Sequence, residues 1–401
     1  MILAGGEGKR LLPLTAQRAK PAVPFGGRYR LIDFAISNLV NSGYRKIVVL
    51  TQYKSHSLDV HISKTWQLSS ELGNYVTTVP AQMRRGPQWF SGSLDAIYQN
   101  FNLIDDERPE NIIVFGADHI YRIDARQMLD AHLQGGFGAT VAGIRVPKSE
   151  AHQFGVMTIG SDSPRIVDFA EKPANPTGLP DSPDEVLASM GNYIFSTEML
   201  MDMASDDARQ DGSKHDIGGD LIPALVKQGE AMVYDFTKNV VPGESDDSEH
   251  YWRDVGTIDS YFEANMDLVQ EQPPFDLYNK SWPIFSYSRN LPPAKFVTDP
   301  QSGSLTVKDS IISSGVVVSG AQVKNSVLSN GCTVEHGADV SNAVLLDDVT
   351  VGPNVVLRNC VIDKNVIVPE GTKIGVDPKS DAERFHVSDG GIIIIPKNAA
   401  L

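Results

Sequence analysis

Glycines and cations crowd the start of this chain in an arrangement suited to holding phosphate. Leu3-Ala4-Gly5-Gly6-Glu7-Gly8-Lys9-Arg10-Leu11 is followed by Pro13-Leu14-Thr15 and Lys20-Pro21. A glycine-rich turn after a short apolar run lets backbone N–H groups approach phosphate oxygens with no Cβ in the way. Gly6-x-Gly8 alone is a weak sign. It lacks the Lys-Ser/Thr ending of a P-loop and the third glycine of a dinucleotide fingerprint. Arg10 and Lys20 sharpen it, because two fixed cations beside such a loop suit the charge that develops on a departing pyrophosphate. The plainer alternative is a surface loop with solvated cations.

Two further segments carry carboxylates or cations at the ends of apolar runs. Phe115-Gly116-Ala117-Asp118-His119 places an acid where a hard cation could sit, although a lone Asp at a strand end usually caps a helix. Phe169-Ala170-Glu171-Lys172-Pro173 sets opposite charges side by side, a pair that on an exposed surface is most often simply solvated.

The elements that must position these residues are legible as alternation. Ile47-Val48-Val49-Leu50 and Ile112-Ile113-Val114-Phe115 read as buried strands, and 33–41 and 93–104 read as helices between them. This predicts an α/β, Rossmann-like domain with a mostly parallel sheet over 1–270. Ligands then belong beyond the carboxyl ends of its strands, where Gly6, Tyr53 and Asp118 fall. Pro273-Pro274 and Pro292-Pro293 bracket an aperiodic stretch, read as a linker over 271–300. Beyond it, Ile311, Val317, Val323, Leu328, Val334, Val340, Leu345, Val351, Val356, Ile362, Val368 and Ile374 recur at a period of about six, with Gly, Asn, Asp and Ser between them. That spacing predicts a C-terminal left-handed parallel β-helix over 301–401, tail included, whose coils share one core.

Composition narrows the partners. The 401 residues exceed what one core usually serves, so two domains are expected. A net charge of -15 argues against nucleic acid and anionic membranes, which require a basic footprint. Anionic small ligands remain, since Lys9, Arg10, Arg18, Lys20, Arg28 and Arg30 cluster near Glu7 as the only acid. No apolar stretch approaches the roughly 20 residues of a membrane span, and no signal peptide is visible. Cys332 and Cys360 read as reduced core residues, which points to the cytoplasm.

The run from Leu3 to Pro21 resembles the signature of the sugar nucleotidyltransferase family. Its continuation, Arg18-Ala19-Lys20-Pro21-Ala22-Val23-Pro24-Phe25-Gly26-Gly27, is similar to the branch that makes ADP-glucose, and the likeness extends over nearly the whole chain. What the resemblance implies is a Mg2+-dependent transfer from ATP to α-D-glucose 1-phosphate, releasing pyrophosphate, in a homotetramer serving glycogen or α-glucan synthesis. It assigns Leu3, Ala4, Gly5, Gly6 and Gly8 to the nucleotide, with Gln82, Gly92 and Ser93 near the base. Arg10 and Lys20 go to the triphosphate, and Asp118 to the catalytic metal. Asp254, in Tyr251-Trp252-Arg253-Asp254-Val255-Gly256-Thr257, becomes the second metal ligand; an ion pair with Arg253 is the plainer role. Lys172 would hold the sugar phosphate and Glu171 a sugar hydroxyl, with Gly155 and Ser189 beside them. Asp220, in Gly219-Asp220-Leu221-Ile222-Pro223, is a further hydroxyl ligand or a helix cap. Trp89 is either core or part of a relay between effector and substrate sites. Arg28, Arg30 and Arg384 are expected to meet between the domains and bind an anionic metabolite effector.

Phe90 stands where some family members have Tyr, Gln17 where some have an activator-binding Lys, and the first strand is short. The effector's identity therefore does not carry over. Rival readings are a relative using GTP and mannose 1-phosphate or UTP and glucose 1-phosphate, a catalytically dead regulatory subunit, and a hexapeptide-repeat acyltransferase. Arg10, Lys20, Asp118 and Asp254 together argue against the dead subunit. The acyltransferase needs a catalytic His at a coil interface, and His336 is the only His within the repeat.

Overall fold

The computed structural model describes residues 1–82, 86, 88–160, 163–244, 250–299 and 303–401. The N-terminal part is built on nine paired strands: β1 (Ile2–Ala4), β2 (Lys46–Thr51), β3 (Tyr75–Pro80), β4 (Asn111–Gly116), then β6 to β10 after a short outlier, β5 (His119–Tyr121). These later strands are β6 (Ala139–Pro147), β7 (Gly155–Ile159), β8 (Ile166–Glu171), β9 (Glu185–Ser196) and β10 (Ala231–Asp235). The order is β8-β7-β9-β4-β1-β2-β3, with β6 and β10 branching from β9. β4, β1, β2 and β3 run parallel, and β6 runs parallel to β10, as alternation predicts. The sheet is nonetheless mixed, because β9 is antiparallel to β4, β6 and β7.

Both faces of this sheet are covered. Along β2, Ile47 and Val49 enter one apolar cluster while Val48 and Leu50 enter the other, so the strand reads as a continuous apolar run rather than an alternating one. β1 lies between β2 and β4, with Ile2 opposite both Val49 and Phe115. That register brings the carboxyl ends at Ala4, Thr51 and Gly116 to one edge, and the chemistry-bearing loops leave from there. The helix expected over 93–104 is two helices, Ser93–Tyr98 and Phe101–Glu107. Asn100 leaves helical geometry between them, and its side-chain amide donates to the Ala96 carbonyl.

The C-terminal part is a stack of parallel coils, consistent with the expected left-handed β-helix. Val307, Val323, Val340 and Leu357 pair in successive strands, as do Val318, Val334, Val351 and Val368 on a second face. Asn325, Asn342 and Asn359 share positive φ at one corner and form a hydrogen-bonded side-chain ladder, an arrangement Asn tolerates better than other residues with a Cβ. Three positions of the six-residue series are misplaced, and the first of them, Ile311, pairs with Val327 and packs outside the coil core. At Val317 and Val356 the fully buried side chains belong to the flanking Val316, Val318, Val355 and Leu357. Both cysteines are free and buried in the coil core, where burial pushes each thiol up to about 12.

A further row, Val327, Val344 and Val361, turns outward and is buried against Leu11, Leu14, Phe25, Tyr261 and Phe262. It cements the coils to the N-terminal part. The segment between Pro273 and Pro293 has little regular structure but is not a free tether. Phe275, Trp282 and Ile284 are buried, and Arg122 donates to the carbonyls of Asp276 and Trp282. The expected boundary at 300/301 lies outside the described residues.

Candidate active site

β5 pairs antiparallel with β11 (Trp252–Asp254), which sets Asp254 opposite His119. This small ribbon brings two carboxylates from distant parts of the sequence to the end of β4. Lys20 Nζ lies between them, 2.7 Å from Asp118 Oδ2 and 3.1 Å from Asp254 Oδ1. Burial disfavours the Lys20 ammonium, but the two carboxylates outweigh that cost and raise its pKa. Burial likewise pushes Asp118 up, and the charges of Lys20, His119 and Arg10 overcome it, holding the acid at about 2. Asp254 does not pair with Arg253, whose guanidinium reaches Asp267 at 2.8 Å instead.

The glycine loop explains itself residue by residue. Gly8 has φ 65°, and a Cβ there would lie 3.0 Å from Lys20 Cβ, so glycine lets the loop turn tightly over the lysine. Gly6 meets no such constraint: an added Cβ would find nothing within 4 Å. Its missing side chain leaves the backbone open to a ligand rather than to a neighbour in this chain.

Two adjoining cavities meet here. One, of about 370 Å3, is lined by Leu3, Ala4, Gly5 and Gly6 with Gln52, Tyr53, Gly92 and Ser93. The other, of about 320 Å3, is lined by Arg10, Lys20, Asp118, Asp254, Gly155, Glu171, Lys172 and Ser189. Leu3, Ser93 and Asp216 face both. In the second cavity Lys172 Nζ donates to Glu171 Oε1 at 2.6 Å, and Lys172 holds φ 50°, a left-handed conformation costly for a residue with a Cβ. Gly155 is opposite Glu171 in the ladder, and a Cβ there would lie 2.4 Å from the Phe169 ring. Ser189 sits at the bulge of β9, its hydroxyl accepting from the Gly191 N–H at 3.3 Å.

Three assignments made from sequence lie apart from these two cavities or from one another. Asp220 lines neither cavity; its Oδ2 accepts from the Asp216 N–H at 2.9 Å and shapes the turn. Asp216, four residues earlier, faces both cavities instead. The sequence reading names only Asp220 and misses Asp216, since nothing local tells which of two acids on one turn faces a cavity. Gln82 is exposed and lines neither cavity. Gln52 does, bonded in both directions to the backbone of Phe90. Trp89 is not core: it is 56% exposed and stacks on Tyr53 at 5.8 Å. The third concerns the effector group. Arg28 and Arg30 line a separate cavity of about 340 Å3 between the two parts of the chain, with Lys64, Arg289 and Lys364. Arg384 is not among its residues and lies over the Phe385 ring at 4.5 Å.

The paired acids suit a divalent cation. Asp118 and Asp254 offer hard oxygen donors already gathered around one positive charge at the wall of an open cavity. Among the described residues no group of three or more His, Cys, Asp or Glu forms a ready-made cage. A cation held there would complete its shell with substrate phosphate and water, the habit of Mg2+.

Comparison with known proteins places both parts of the chain in known families. The nucleotidyl transferase family model matches residues 1–271, and the GlmU-like C-terminal hexapeptide model matches 292–395. The chain is 55% identical over 403 residues to the glucose-1-phosphate adenylyltransferase of Parafrankia sp. (strain EAN1pec), covering 100% of this chain and 98% of that protein. It is 57% identical to the enzyme of that name from Acidothermus cellulolyticus, covering 100% and 97%. For the one from Cutibacterium acnes the identity is 52%, covering 99% and 96%.

Proposed function

Because this chain belongs to the nucleotidyl transferase family, and within it to the glucose-1-phosphate adenylyltransferases, we propose that it transfers the adenylyl group of ATP to α-D-glucose 1-phosphate. The products are ADP-glucose, for glycogen or α-glucan synthesis, and pyrophosphate. The observation that carries this reading is the Lys20 ammonium held between Asp118 and Asp254 at the wall of the second cavity, beside the nucleotide cavity.

A phosphate oxygen of the sugar phosphate attacks the α-phosphorus of ATP. A P–O bond forms there as the bond from the α-phosphorus to the bridging β-phosphate oxygen breaks, and pyrophosphate leaves. No side-chain nucleophile is required, since positioning and charge neutralisation carry such transfers. The Leu3–Gly6 cavity takes the nucleotide. Arg10 and Lys20 take up charge on the triphosphate, and Lys172 anchors the sugar phosphate. Glu171 and Asp216 accept from sugar hydroxyls. Asp118 and Asp254 would hold Mg2+, which supplies charge stabilisation to the phosphates when bound.

The cavity lined by Arg28 and Arg30 is our candidate for an anionic metabolite effector, because planar guanidinium groups bind phosphate bidentately. A cytoplasmic homotetramer completes the proposal, supported by family membership. The test is to incubate the protein with Mg2+, glucose 1-phosphate and ATP, GTP or UTP in turn. Pyrophosphate and ADP-glucose from ATP are expected; faster turnover of GTP or UTP overturns the specificity.

A further inference from the structure

We infer that Asp207 and His215 form a positioning pair that holds Asp216 at the junction of the nucleotide and sugar-phosphate cavities and so aligns the two substrates. This rests on the reading under Proposed function and adds to it a pair that touches neither substrate.

The pair begins at the end of the helix Thr197–Asp207. His215 Nδ1 donates to Asp207 Oδ2 at 2.7 Å, and Ser213 Oγ donates to Asp207 Oδ1 at 2.6 Å. The His215 N–H in turn donates to Ser213 Oγ at 2.9 Å. Both oxygens of one largely buried carboxylate are thereby committed to a single short loop. His215 holds φ 54°, a conformation that a residue with a Cβ keeps only when its surroundings impose it. The imidazole tie to Asp207 is the evident constraint.

What that conformation achieves lies on either side. The His215 carbonyl accepts from Leu94 N–H at 2.8 Å, joining the loop to the first turn of the helix Ser93–Tyr98. Gly92 passes so close that a Cβ there would lie 2.2 Å from the same carbonyl oxygen. Asp216 Oδ2 then accepts from Ser93 Oγ at 2.8 Å, while Ser93 Oγ accepts from the Ile217 N–H at 2.8 Å. On the other side Gly218 approaches Glu171, whose Oε2 would lie 3.2 Å from a Cβ at that position. The loop thus touches the wall of each cavity, and its register is set from behind by Asp207 and His215. Small misplacements of reacting groups cost far more than the contacts themselves suggest, with a shift of about 1 Å worth about 100-fold.

Three variants test this in the full-length protein, with melting temperature measured alongside kcat and both KM values. Asn is the informative replacement for His215, because its Nδ2 stands where imidazole Nδ1 does and Asn tolerates positive φ. His215→Asn is expected within about threefold of wild type. His215→Gly keeps the backbone permissible but loses the tie, and should lower kcat and raise the KM for both ATP and glucose 1-phosphate. The combined loss in kcat/KM should be about 10- to 100-fold, at a melting temperature close to wild type. Asp207→Ala should match His215→Gly. A purely structural role would lower the melting temperature and leave the kinetic constants of the folded protein alone, which overturns the inference. So does a Gly variant at the wild-type rate, or an Asn variant as impaired as Gly. Failure of the wild-type protein itself to form ADP-glucose strikes instead at the proposed function.

Discussion

Arg18 and Asp363, 345 positions apart in the chain, meet in a buried ion pair in which Nη2 of the arginine lies 2.9 Å from each carboxylate oxygen. Arg18 therefore belongs to the scaffold and is not one of the cations left for phosphate. It stands two residues before Lys20, so the loop that carries the central ammonium is fastened directly to the β-helix. Asp363→Ala leaves a buried guanidinium unpaired and should destabilise the protein by about 3–5 kcal/mol. The double variant Arg18→Met/Asp363→Leu should recover most of that loss. Denaturant unfolding of the two proteins checks both statements.

Asp118→Asn should keep the fold and lose turnover. Replacing one of the two acids that flank Lys20 weakens the hold on a divalent cation and on transition-state charge. A rate loss of about 100-fold or more is expected. Steady-state pyrophosphate release is the measurement, and a variant within about tenfold of wild type removes Asp118 from the metal site.

Lys172→Ala separates the two substrates. Its ammonium lines the cavity assigned to the sugar phosphate and not the one assigned to the nucleotide. The KM for glucose 1-phosphate should rise about 30- to 1000-fold, corresponding to about 2–4 kcal/mol, with a far smaller change for ATP. Equal effects on both would make Lys172 a structural residue.

Acid should weaken the fold through His132. Its ring is buried, with Nδ1 2.8 Å from Thr140 Oγ1 and Nε2 3.2 Å from Asn111 Oδ1, and burial lowers its pKa below 6.5. The fold thus favours the neutral ring. The associated stability is complete above the unfolded value and is lost as pH falls through the folded one, at no more than about 1.4 kcal/mol per pH unit. His132→Gln should flatten that dependence between about pH 7 and pH 5, as followed by urea unfolding.

Regulation distinguishes two arginines. Arg28→Ala should shrink activation by a sugar phosphate, a coupling of about 5- to 150-fold, and leave basal turnover intact. Arg384→Ala should leave activation unchanged, since Arg384 does not line the cavity. Loss of activation in Arg384→Ala alone would transfer the effector site to the C-terminal helix.

The sequence by itself determined the class of each half, because a continuous Val/Ile run and a six-residue spacing are local patterns with few packing solutions. The resemblance carried by its motifs also pointed to the glycine loop, Lys20, Asp118 and Lys172, residues that line the two adjoining cavities of the structure. Tertiary structure alone decided which groups meet. Nothing local tells that β11 folds back on β5 to set Asp254 beside Asp118, or that Arg18 is consumed by an acid from the last coils. Asp216 was missed altogether: the Asp220 carboxylate accepts from a backbone N–H of the same turn, and it is Asp216 that faces the cavities. The outward valines of the coils escaped the six-residue pattern for a related reason. Their burial comes from residues outside the repeat, such as Leu11, Phe25 and Tyr261, and a periodicity reports only on the core that a repeat makes with itself.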